Sequence, residues 1–433
     1  MNIFRKSILI YFLKGYKMVT RKIEPTIIEM LKYFRVVAIN GPRQSGKTTL
    51  QEKIAMTYNM DYYTFDDEDT FDLATENTQN FIENITREKN VAIDEVQMIP
   101  RIIPAIKMAV DKENKKGMFL ITGSSDLFKN SKIKESLAGR MASFNLFPLS
   151  YAEINNRDIN IIDKLFSDDY TNFNIDKKLT EENFISAVIN GGYPEVYELP
   201  VKAKKAWFDF YIKSRITKDI ADFENVQLDK ITHLDKLLKV LASQVGSIVN
   251  YTSIANSIGL ADKTVRKYIQ ILEALYIVKL IPSYSNNMLK RVIKSPKVHF
   301  IDSGLASYLL SSSIEASLMG KNKHLGNLVE TFVYSELIKH QSYSEENVEI
   351  YHFRDVKQKE VDFVIESHSG NIVALEIKSG SSIKKEQFKG LLALAQTIKK
   401  NHFKGIVLYG GDKILPFKVE EYQFWAIPLR ILI

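Results

Sequence analysis

The chain has 433 residues, of which 45% are hydrophobic, so it is globular and too long for a single ordinary core. Its 59 Lys and Arg against 52 Asp and Glu leave a formal charge of +7, which favours an anionic partner such as nucleic acid without requiring one. The chain has no cysteine, which excludes disulfides and thiolate metal sites. This suits a reducing interior, and we expect a cytoplasmic protein.

The first residues contain a short apolar run, residues 8–13, between Lys6 and Lys14. A membrane span needs about 20 apolar residues, and a signal peptide would be followed by small residues at a cleavage site. We therefore expect no membrane span, no signal peptide and no membrane partner. Met18 is an alternative start of the chain.

Short apolar runs alternate with helical stretches from residue 35 to about residue 147. This alternation is typical of a parallel sheet built from βα units. Strands are predicted at residues 35–39, 91–94 and 118–122, and helices at residues 49–58 and 102–111. The strands are continuous apolar runs, as expected of strands covered on both faces.

A phosphate-binding motif follows the first predicted strand. Residues 41–48 read Gly-Pro-Arg-Gln-Ser-Gly-Lys-Thr, which matches the pattern G-x-x-x-x-G-K-[ST]. The glycines let backbone N–H groups and a helix N-terminus face an anion, Lys47 would reach the β- and γ-phosphates of ATP, and Thr48 would hold Mg²⁺. The predicted nucleotide contacts are Gly41, Pro42, Arg43, Gln44, Ser45, Gly46, Lys47, Thr48 and Thr49. The alternative is a strand-to-helix turn that only resembles the motif.

Two carboxylates end the second buried strand. Asp94 can reach the metal directly or through water, and Glu95 is the candidate base that polarises the attacking water. Ser124 follows the third strand and is a candidate catalytic residue that senses the γ-phosphate. The alternatives are solvated acidic residues at a strand end and a simple Gly-Ser turn.

The middle of the chain divides into two parts. Residues 150–226 are mostly helical and rich in aromatic residues, with Gly191-Gly192-Tyr193-Pro194 interrupting them, and we interpret this part as a helical lid. Residues 251–257 and 263–275 form two amphipathic helices joined by a turn that contains glycine, which is helix-turn-helix spacing.

The strands predicted at residues 276–281 and 298–301 would then form a wing. Lys263, Arg266 and Lys267 are candidate contacts to DNA on the second helix. The alternatives are a solvated helix face and a protein docking module.

The last part combines charged residues with strands. Strands are predicted at residues 361–366 and 372–378, after a helix that ends at His340 and carries Glu330. Because side chains alternate along a strand, a hairpin can place Asp362 beside Glu376 and Lys378. Glu330, Asp362 and Glu376 are the predicted metal ligands, and Lys378 is the predicted group that orients water for phosphodiester hydrolysis. The alternative is a solvated strand face on which Glu376 and Lys378 pair.

Several motifs together resemble the AAA-type ATPases of archaea and bacteria: Ser45-Gly46-Lys47-Thr48, Ile93-Asp94-Glu95-Val96-Gln97 and Thr122-Gly123-Ser124-Ser125. With Leu137-Ala138-Gly139-Arg140, Gly191-Gly192-Tyr193-Pro194-Glu195 and the C-terminal Glu-Ile-Lys-Ser-Gly, the chain is similar, over about residues 20–420, to a family of predicted ATPases whose C-terminal domain has no assigned function. The resemblance implies that Arg140 is an arginine finger or a sensor. A structural salt bridge is the alternative.

Glu330, Asp362, Glu376 and Lys378, in this order, resemble the PD-(D/E)xK nuclease core of restriction enzymes and archaeal junction resolvases. Val361-Asp362 stands where that pattern has Pro-Asp. The resemblance implies a nuclease-like fold for the C-terminal domain.

The sequence therefore predicts an α/β protein with four parts: a P-loop parallel-sheet ATPase domain (20–150), a helical lid (151–230), a winged-helix-like domain (231–311) and a restriction-endonuclease-like α/β domain (312–433). We expect ATP and Mg²⁺ as cofactors, hydrolysis coupled to work on DNA or RNA, and compatibility with a homo-oligomer. The alternatives are a nucleotide-gated binding or signalling switch whose C-terminal domain cuts nothing, and a slow ATPase that holds nucleotide to stabilise an oligomer.

Overall fold

The computed structural model describes residues 19–124, 137–171, 173, 178–216, 231–285, 291, 295–398 and 402–433. The apolar run at residues 8–13 and the alternative start Met18 lie outside the described residues. Within the described ranges, no helix has both the length and the apolar character that crossing a membrane would need.

The N-terminal part is a parallel sheet with helices on both faces. Its elements are α1 (Glu24–Met30), β1 (Val36–Asn40), α2 (Lys47–Thr57), β2 (Asp61–Thr64), α3 (Glu68–Glu76), α4 (Thr78–Ile85), β3 (Val91–Asp94), α5 (Ile102–Glu113), β4 (Phe119–Gly123) and β5 (Met141–Asn145). The five strands lie in the order β2-β3-β4-β1-β5, and every neighbouring pair is parallel. The strands predicted at residues 35–39, 91–94 and 118–122 are confirmed to within one residue.

This sheet is covered on both sides, which explains its continuous apolar strands. Val36 and Ala38 of β1 face one core, which includes the buried face of α5. Val37 and Ile39 face the other core, formed with α1 and α2. Since β1 lies between β4 and β5, its carboxyl end, where the phosphate-binding motif begins, is at the centre of the sheet edge.

The middle part is helical apart from one pair of strands. Its elements are α6 (Tyr151–Ile154), α7 (Ile161–Phe166), α8 (Glu181–Asn190), α9 (Val201–Phe210), a π-helical turn (Tyr211–Ile216), α10 (Ile231–Ser243), α11 (Tyr251–Ile258), α12 (Asp262–Ala274), β6 (Val278–Ile281), β7 (Lys297–Phe300), α13 (Ser303–Leu309) and α14 (Ile314–Leu318). Strands β6 and β7 are antiparallel. The two helices and the two strands predicted for this part are therefore present, and their arrangement as a winged helix stays a prediction.

The C-terminal part is a mixed sheet with one long helix before it. Its elements are α15 (Leu325–Gln341), β8 (Val348–Arg354), β9 (Glu360–Ser367), β10 (Ile372–Lys378), α16 (Lys389–Ile398), β11 (Phe403–Tyr409), β12 (Leu415–Val419) and β13 (Tyr422–Pro428). The strand order is β12-β13-β11-β10-β9-β8. The hairpin expected between β9 and β10 is antiparallel, with Leu375 opposite Phe363.

One hydrophobic core runs through the middle and C-terminal parts. It contains Tyr193 after α8, Leu272 of α12, Phe332 of α15 and Leu408 of β11. The predicted divisions at residues 230 and 311 therefore cross a shared core, and the four-part division stays a prediction.

Candidate functional site

The phosphate-binding loop joins the end of β1 to the start of α2, and two of its glycines adopt conformations that other residues avoid. Gly46 has a left-handed backbone, with φ of 90°. Gly41 has φ of 148°, and a Cβ atom there would collide with the carbonyl oxygen of Leu146. The loop therefore requires glycine at both positions that the motif fixes.

Lys47 is buried at the start of α2, with 4% of its surface exposed. Its Nζ donates to the carbonyl oxygens of Gly41, at 3.1 Å, and of Pro42, at 2.8 Å. The Ser45 hydroxyl donates to the same Pro42 carbonyl, at 2.9 Å. The ammonium group is thus folded over the loop, where it can meet an anion bound there.

Asp94 lies at the carboxyl end of β3 beside the loop, with 2% of its surface exposed. Its Oδ2 accepts from the Thr48 hydroxyl, at 2.8 Å, and from the Tyr62 hydroxyl, at 3.2 Å, and its Oδ1 accepts from Thr122. Burial raises the pKa of Asp94, although the hydrogen bonds from Thr122 and Thr48 oppose this. The two predicted magnesium ligands of this site, Thr48 and Asp94, are therefore in direct contact.

Glu95 follows in a left-handed conformation, with φ of 57°, which turns its side chain away from the strand. Its backbone N–H donates to the Thr122 hydroxyl, at 3.2 Å. The Gln97 side-chain amide donates both to the Glu95 carboxylate and to the Ser124 hydroxyl, the latter at 2.9 Å. Gln97 therefore links the two predicted catalytic residues. The sequence motif gives no separate indication of this role, although Gln97 stands only two residues after Glu95. Ser125 lies outside the described residues.

Arg21 supports the phosphate-binding loop from behind, and nothing in the sequence motif indicated it. Its Nη1 donates to the carbonyl oxygen of Ser45, at 2.7 Å, and its Nη2 to that of Phe147, at 2.7 Å. Its Nε pairs with the buried Glu153, at 3.0 Å. The Ser45 carbonyl belongs to the same peptide unit as the Gly46 N–H, so fixing one directs the other to the opposite side.

Glu52, one turn after Thr48 on α2, is a second carboxylate near Asp94. Burial and the neighbouring Asp94 raise the pKa of Glu52 to about 7. No sequence pattern indicates this residue, because a single carboxylate within a helix looks like a solvated one.

The segment predicted to be a helical lid touches the phosphate-binding loop. The Tyr211 hydroxyl donates to the carbonyl oxygen of Arg43, at 3.4 Å, and Pro194 lies next to Gly46. Behind them, Trp207 stacks on Tyr211 with ring centroids 4.9 Å apart. The segment Gly191-Gly192-Tyr193-Pro194 thus belongs to the surroundings of the nucleotide site.

Arg140 lies at the opposite end of the sheet. Met141, its neighbour, pairs with Val36 at the start of β1, whereas the phosphate-binding loop follows the end of β1. Five residues of strand, roughly 16 Å, separate the two. Arg140 instead pairs with Asp111, with Nη2 at 2.9 Å from Oδ2. Of the two interpretations of this arginine, the structural salt bridge fits its position within this chain.

Two of the C-terminal candidates, Glu330 and Asp362, come together around a lysine from another part of the fold. Lys297 of β7 places its Nζ 2.6 Å from Glu360, 3.2 Å from Glu330 and 3.4 Å from Asp362. Glu376 pairs separately with Lys378, at 2.6 Å. The structure thus brings Glu330 and Asp362 together on Lys297 and pairs Glu376 with Lys378, and no sequence pattern indicated the central lysine.

This cluster, which we call the Lys297 cluster (Lys297, Glu330, Glu360 and Asp362), has perturbed acidities. Burial lowers the pKa of Lys297, but the three carboxylates raise it by more, so that its net shift is upward. Burial raises the pKa of Asp362 well above its usual value, and Glu330 adds to the shift. Across the described ranges, no group of three or more His, Asp or Glu side chains is arranged to hold a metal ion. The metal cage of Glu330, Asp362 and Glu376, and the catalytic role of Lys378, stay predictions.

The basic stripe on α12, formed by Lys263, Arg266 and Lys267, is exposed. Arg266 also packs over the Tyr251 ring of α11, with 3.8 Å between the guanidinium carbon and the ring centroid. The stripe is therefore accessible to a partner, while one of its members is held in place.

Comparison with protein families gives matches over three segments. Residues 33–155 match a model described as an AAA domain. Residues 181–317 and 325–432 match two models described as domains of unknown function, DUF8612 and DUF4143.

The chain is also similar to uncharacterized proteins. One, from Mycobacterium tuberculosis, is 27% identical over 348 residues, which span 80% of this chain and 71% of the relative. Another, from Methanocaldococcus jannaschii, is 24% identical over 417 residues, which span 88% of this chain and 81% of the relative.

Among solved structures, the Walker-type ATPase PABY2304 of Pyrococcus abyssi superposes with a TM-score of 0.40 and 14% identity, covering 68% of this chain and 99% of that one. AMPPCP-bound DnaA from Aquifex aeolicus gives a TM-score of 0.28 and 17% identity, covering 57% of this chain and 86% of that one. Superpositions this loose carry no argument. The segment that matches the AAA-domain model, residues 33–155, contains the phosphate-binding loop, Asp94 and Glu95, so the match and the geometry of the motifs agree.

Proposed function

We propose that this protein binds ATP with Mg²⁺ at the phosphate-binding loop and hydrolyses it. The observation that carries the proposal is the 2.8 Å contact between Thr48 and Asp94, next to the buried Lys47, at the carboxyl end of the sheet. A hydroxyl and a carboxylate in contact at this position are the oxygen ligands that Mg²⁺ takes when it is also bound to phosphates.

Each residue then has a defined task. The loop from Gly41 to Thr48 binds the phosphates through backbone N–H groups at the start of α2, and Lys47 stabilises charge on the β- and γ-phosphates. Thr48 and Asp94 would hold Mg²⁺, which would supply positive charge to the phosphates. Glu95 takes the proton of the attacking water.

Gln97 and Ser124 lie beside Glu95, where the attacking water would be bound. The Gln97 amide donates to the Glu95 carboxylate and to the Ser124 hydroxyl. If the γ-phosphate takes the Ser124 hydroxyl as a hydrogen-bond donor, the hydrogen bond between Gln97 and Ser124 changes, and with it the position of the Glu95 carboxylate. Residues Arg21, Tyr62 and Thr122 position these groups without touching the substrate.

Replacement of Glu95 by glutamine tests the hydrolytic role. The amide keeps the size of the side chain and loses the base, so ATP binding should persist while turnover falls by ~10²–10⁴-fold. Binding is measured by calorimetry and turnover by phosphate release. The exposed Glu88→Gln is the control. Unchanged turnover in Glu95→Gln would assign water activation to another residue.

A second candidate function, coupling of hydrolysis to work on nucleic acid, is favoured by the exposed stripe Lys263, Arg266 and Lys267. Such a stripe suits a phosphate backbone, and the affinity should then fall steeply with salt. Replacing all three by alanine should weaken DNA or RNA binding and remove any stimulation of ATPase turnover. The control is the pair Lys236 and Lys239 on α10, replaced by alanine. If DNA and RNA leave the ATPase turnover unchanged, the nucleotide-gated switch is favoured instead.

A further inference from the structure

The Lys297 cluster contains a buried ammonium group at the place where carboxylates converge. The Lys297 side chain is 1% exposed, and its Nζ lies within 3.4 Å of Glu330, Glu360 and Asp362. A buried charge is tolerated only when it is paired and hydrogen-bonded. Lys297 meets this requirement through its three carboxylate neighbours.

The lysine and its partners come from different parts of the fold. Lys297 begins β7, where it pairs with Ile281 of β6 and bridges to Ile248. Glu330 lies on α15, and Asp362 lies on β9. The cluster therefore fastens the β6–β7 pair to the C-terminal sheet.

The carboxylates of the cluster have further neighbours besides Lys297. Asp362 Oδ2 accepts the backbone N–H of Ile377, at 2.8 Å. His299 Nε2 lies 3.4 Å from Glu330 Oε1, and the Glu330 carboxylate packs so closely on Gly246 that a Cβ atom there would approach its Oε2 to 2.7 Å. Asp362 is thus held between Lys297 and the Ile377 N–H, and the Glu330 side chain is confined by the backbone at Gly246.

We propose that Lys297 is the resident counter-ion of these carboxylates and that it excludes a divalent cation from the predicted metal cage. A metal ion would need carboxylate oxygens at ~2.0–2.6 Å on several sides, which is the volume that the ammonium group and its hydrogen bonds fill. The C-terminal domain is then held to the β6–β7 pair by an ion cluster and does not use Glu330 and Asp362 for metal-dependent cleavage.

Removal of the lysine should open the site. In Lys297→Met, the carboxylates lose their cation, so the thermal midpoint should fall. Millimolar Mn²⁺, added alone without nucleotide, should restore part of it, and calorimetry should show Mn²⁺ affinity at least about tenfold above that of the wild type. The double variant Lys297→Met with Asp362→Asn should lose this gain. Thr48 and Asp94 are unchanged in all variants, so any Mn²⁺ binding at the phosphate-binding loop contributes equally to each and does not affect the difference between them.

The matched control is Lys339→Met. Lys339 is equally buried and pairs with Glu336 at 2.8 Å, so its loss should lower the midpoint without creating Mn²⁺ affinity.

Two results would overturn the proposal: Mn²⁺ binding by the wild type that Asp362→Asn abolishes, or a folded Lys297→Met that gains no Mn²⁺ affinity. If Lys297→Met does not fold, the wild type and Asp362→Asn decide alone. Equal Mn²⁺ binding then supports the resident counter-ion, and loss of binding in Asp362→Asn contradicts it.

Discussion

Two buried lysines, Lys47 in the phosphate-binding loop and Lys297 in the C-terminal part, have nearly the same exposure and different surroundings. Two hydrogen bonds of Lys47 go to the carbonyl oxygens of Gly41 and Pro42, and Asp94 is the carboxylate near enough to attract its charge. The contacts of Lys297 go to three carboxylates. Carbonyl oxygens hold an ammonium group in position without cancelling its charge, whereas carboxylates do both.

The difference indicates which site is built for an anionic ligand. At the loop, the positive charge is supplemented by the N-terminus of α2, so a polyphosphate finds an attractive field. At the Lys297 cluster, three carboxylates face one ammonium group, so an added phosphate would be repelled. The same substitution should therefore lower ATP affinity at Lys47 and lower the stability of the fold at Lys297.

The largest expected effect is on ATP binding. Lys47→Met removes a charged donor to two phosphate groups, and at ~1.5–3 kcal/mol for each such hydrogen bond the affinity should fall by roughly 10²–10⁴-fold. Lys297→Met should leave ATP affinity within about twofold and lower the free energy of unfolding by about 3–5 kcal/mol, because breaking a buried pair leaves carboxylates uncompensated. Calorimetry with ATP and urea unfolding measure the two quantities. If both variants lose ATP affinity, the two sites are not independent.

The next effect separates two aspartates. Asp94→Asn removes a predicted metal ligand, so turnover should fall by about 10²-fold or more while the fold persists. Asp362→Asn replaces a carboxylate that has more anionic neighbours than cations, so stability at neutral pH should stay the same or increase by about 1 kcal/mol. The measurements are phosphate release and urea unfolding. A large loss of stability in Asp362→Asn would mean that its charge is needed.

The pH dependence sharpens this point. The pKa of Asp362 is raised in the folded protein, so the folded state holds a proton that the unfolded state releases above its ordinary pKa, about 3.9. The stability that this proton contributes is present at low pH and is lost as the pH rises. The advantage of Asp362→Asn over the wild type should therefore grow from about pH 4 upward. Its absence would show that Asp362 ionises normally.

The smallest expected effect concerns Tyr62, which donates to Asp94 at 3.2 Å. Tyr62→Phe removes one neutral donor, worth ~0.5–1.5 kcal/mol, so the turnover number should fall by roughly twofold to tenfold, with little change in the KM for ATP. The neighbouring Tyr63→Phe is the matched control, because its ring packs on Phe81 away from Asp94. Equal effects of the two variants would remove Tyr62 from the positioning of Asp94.

The nucleotide site was predictable because its signal is local. Gly41, Gly46, Lys47 and Thr48 lie within eight residues, and the apolar strands on which Asp94 and Ser124 depend are continuous in the sequence. Parallel strands bring their carboxyl ends to one edge, so the meeting of these residues follows from the strand pattern alone.

The supporting residues were not predictable in this way. Lys297 is 33 residues from Glu330 and 65 from Asp362, and no periodicity connects them. It stands in a basic stretch, Lys-Ser-Pro-Lys-Val-His, that reads as a solvated wing. The alternation of side chains along β9 and β10 predicted that carboxylates of the two strands lie close together. The lysine that neutralises Asp362, Lys297, lies on β7 in the middle part of the chain.

Arg21 has a practical consequence for anyone who wishes to produce the ATPase domain by itself. The segment that matches the AAA model begins at residue 33, but the arginine that fixes the Ser45 carbonyl stands twelve residues before it, ahead of α1. A clone cut at residue 33 would retain every recognisable motif and lose both this arginine and the apolar side of α1 that covers the sheet. Such a fragment should bind ATP poorly, so expression boundaries for this domain should begin at or before residue 19.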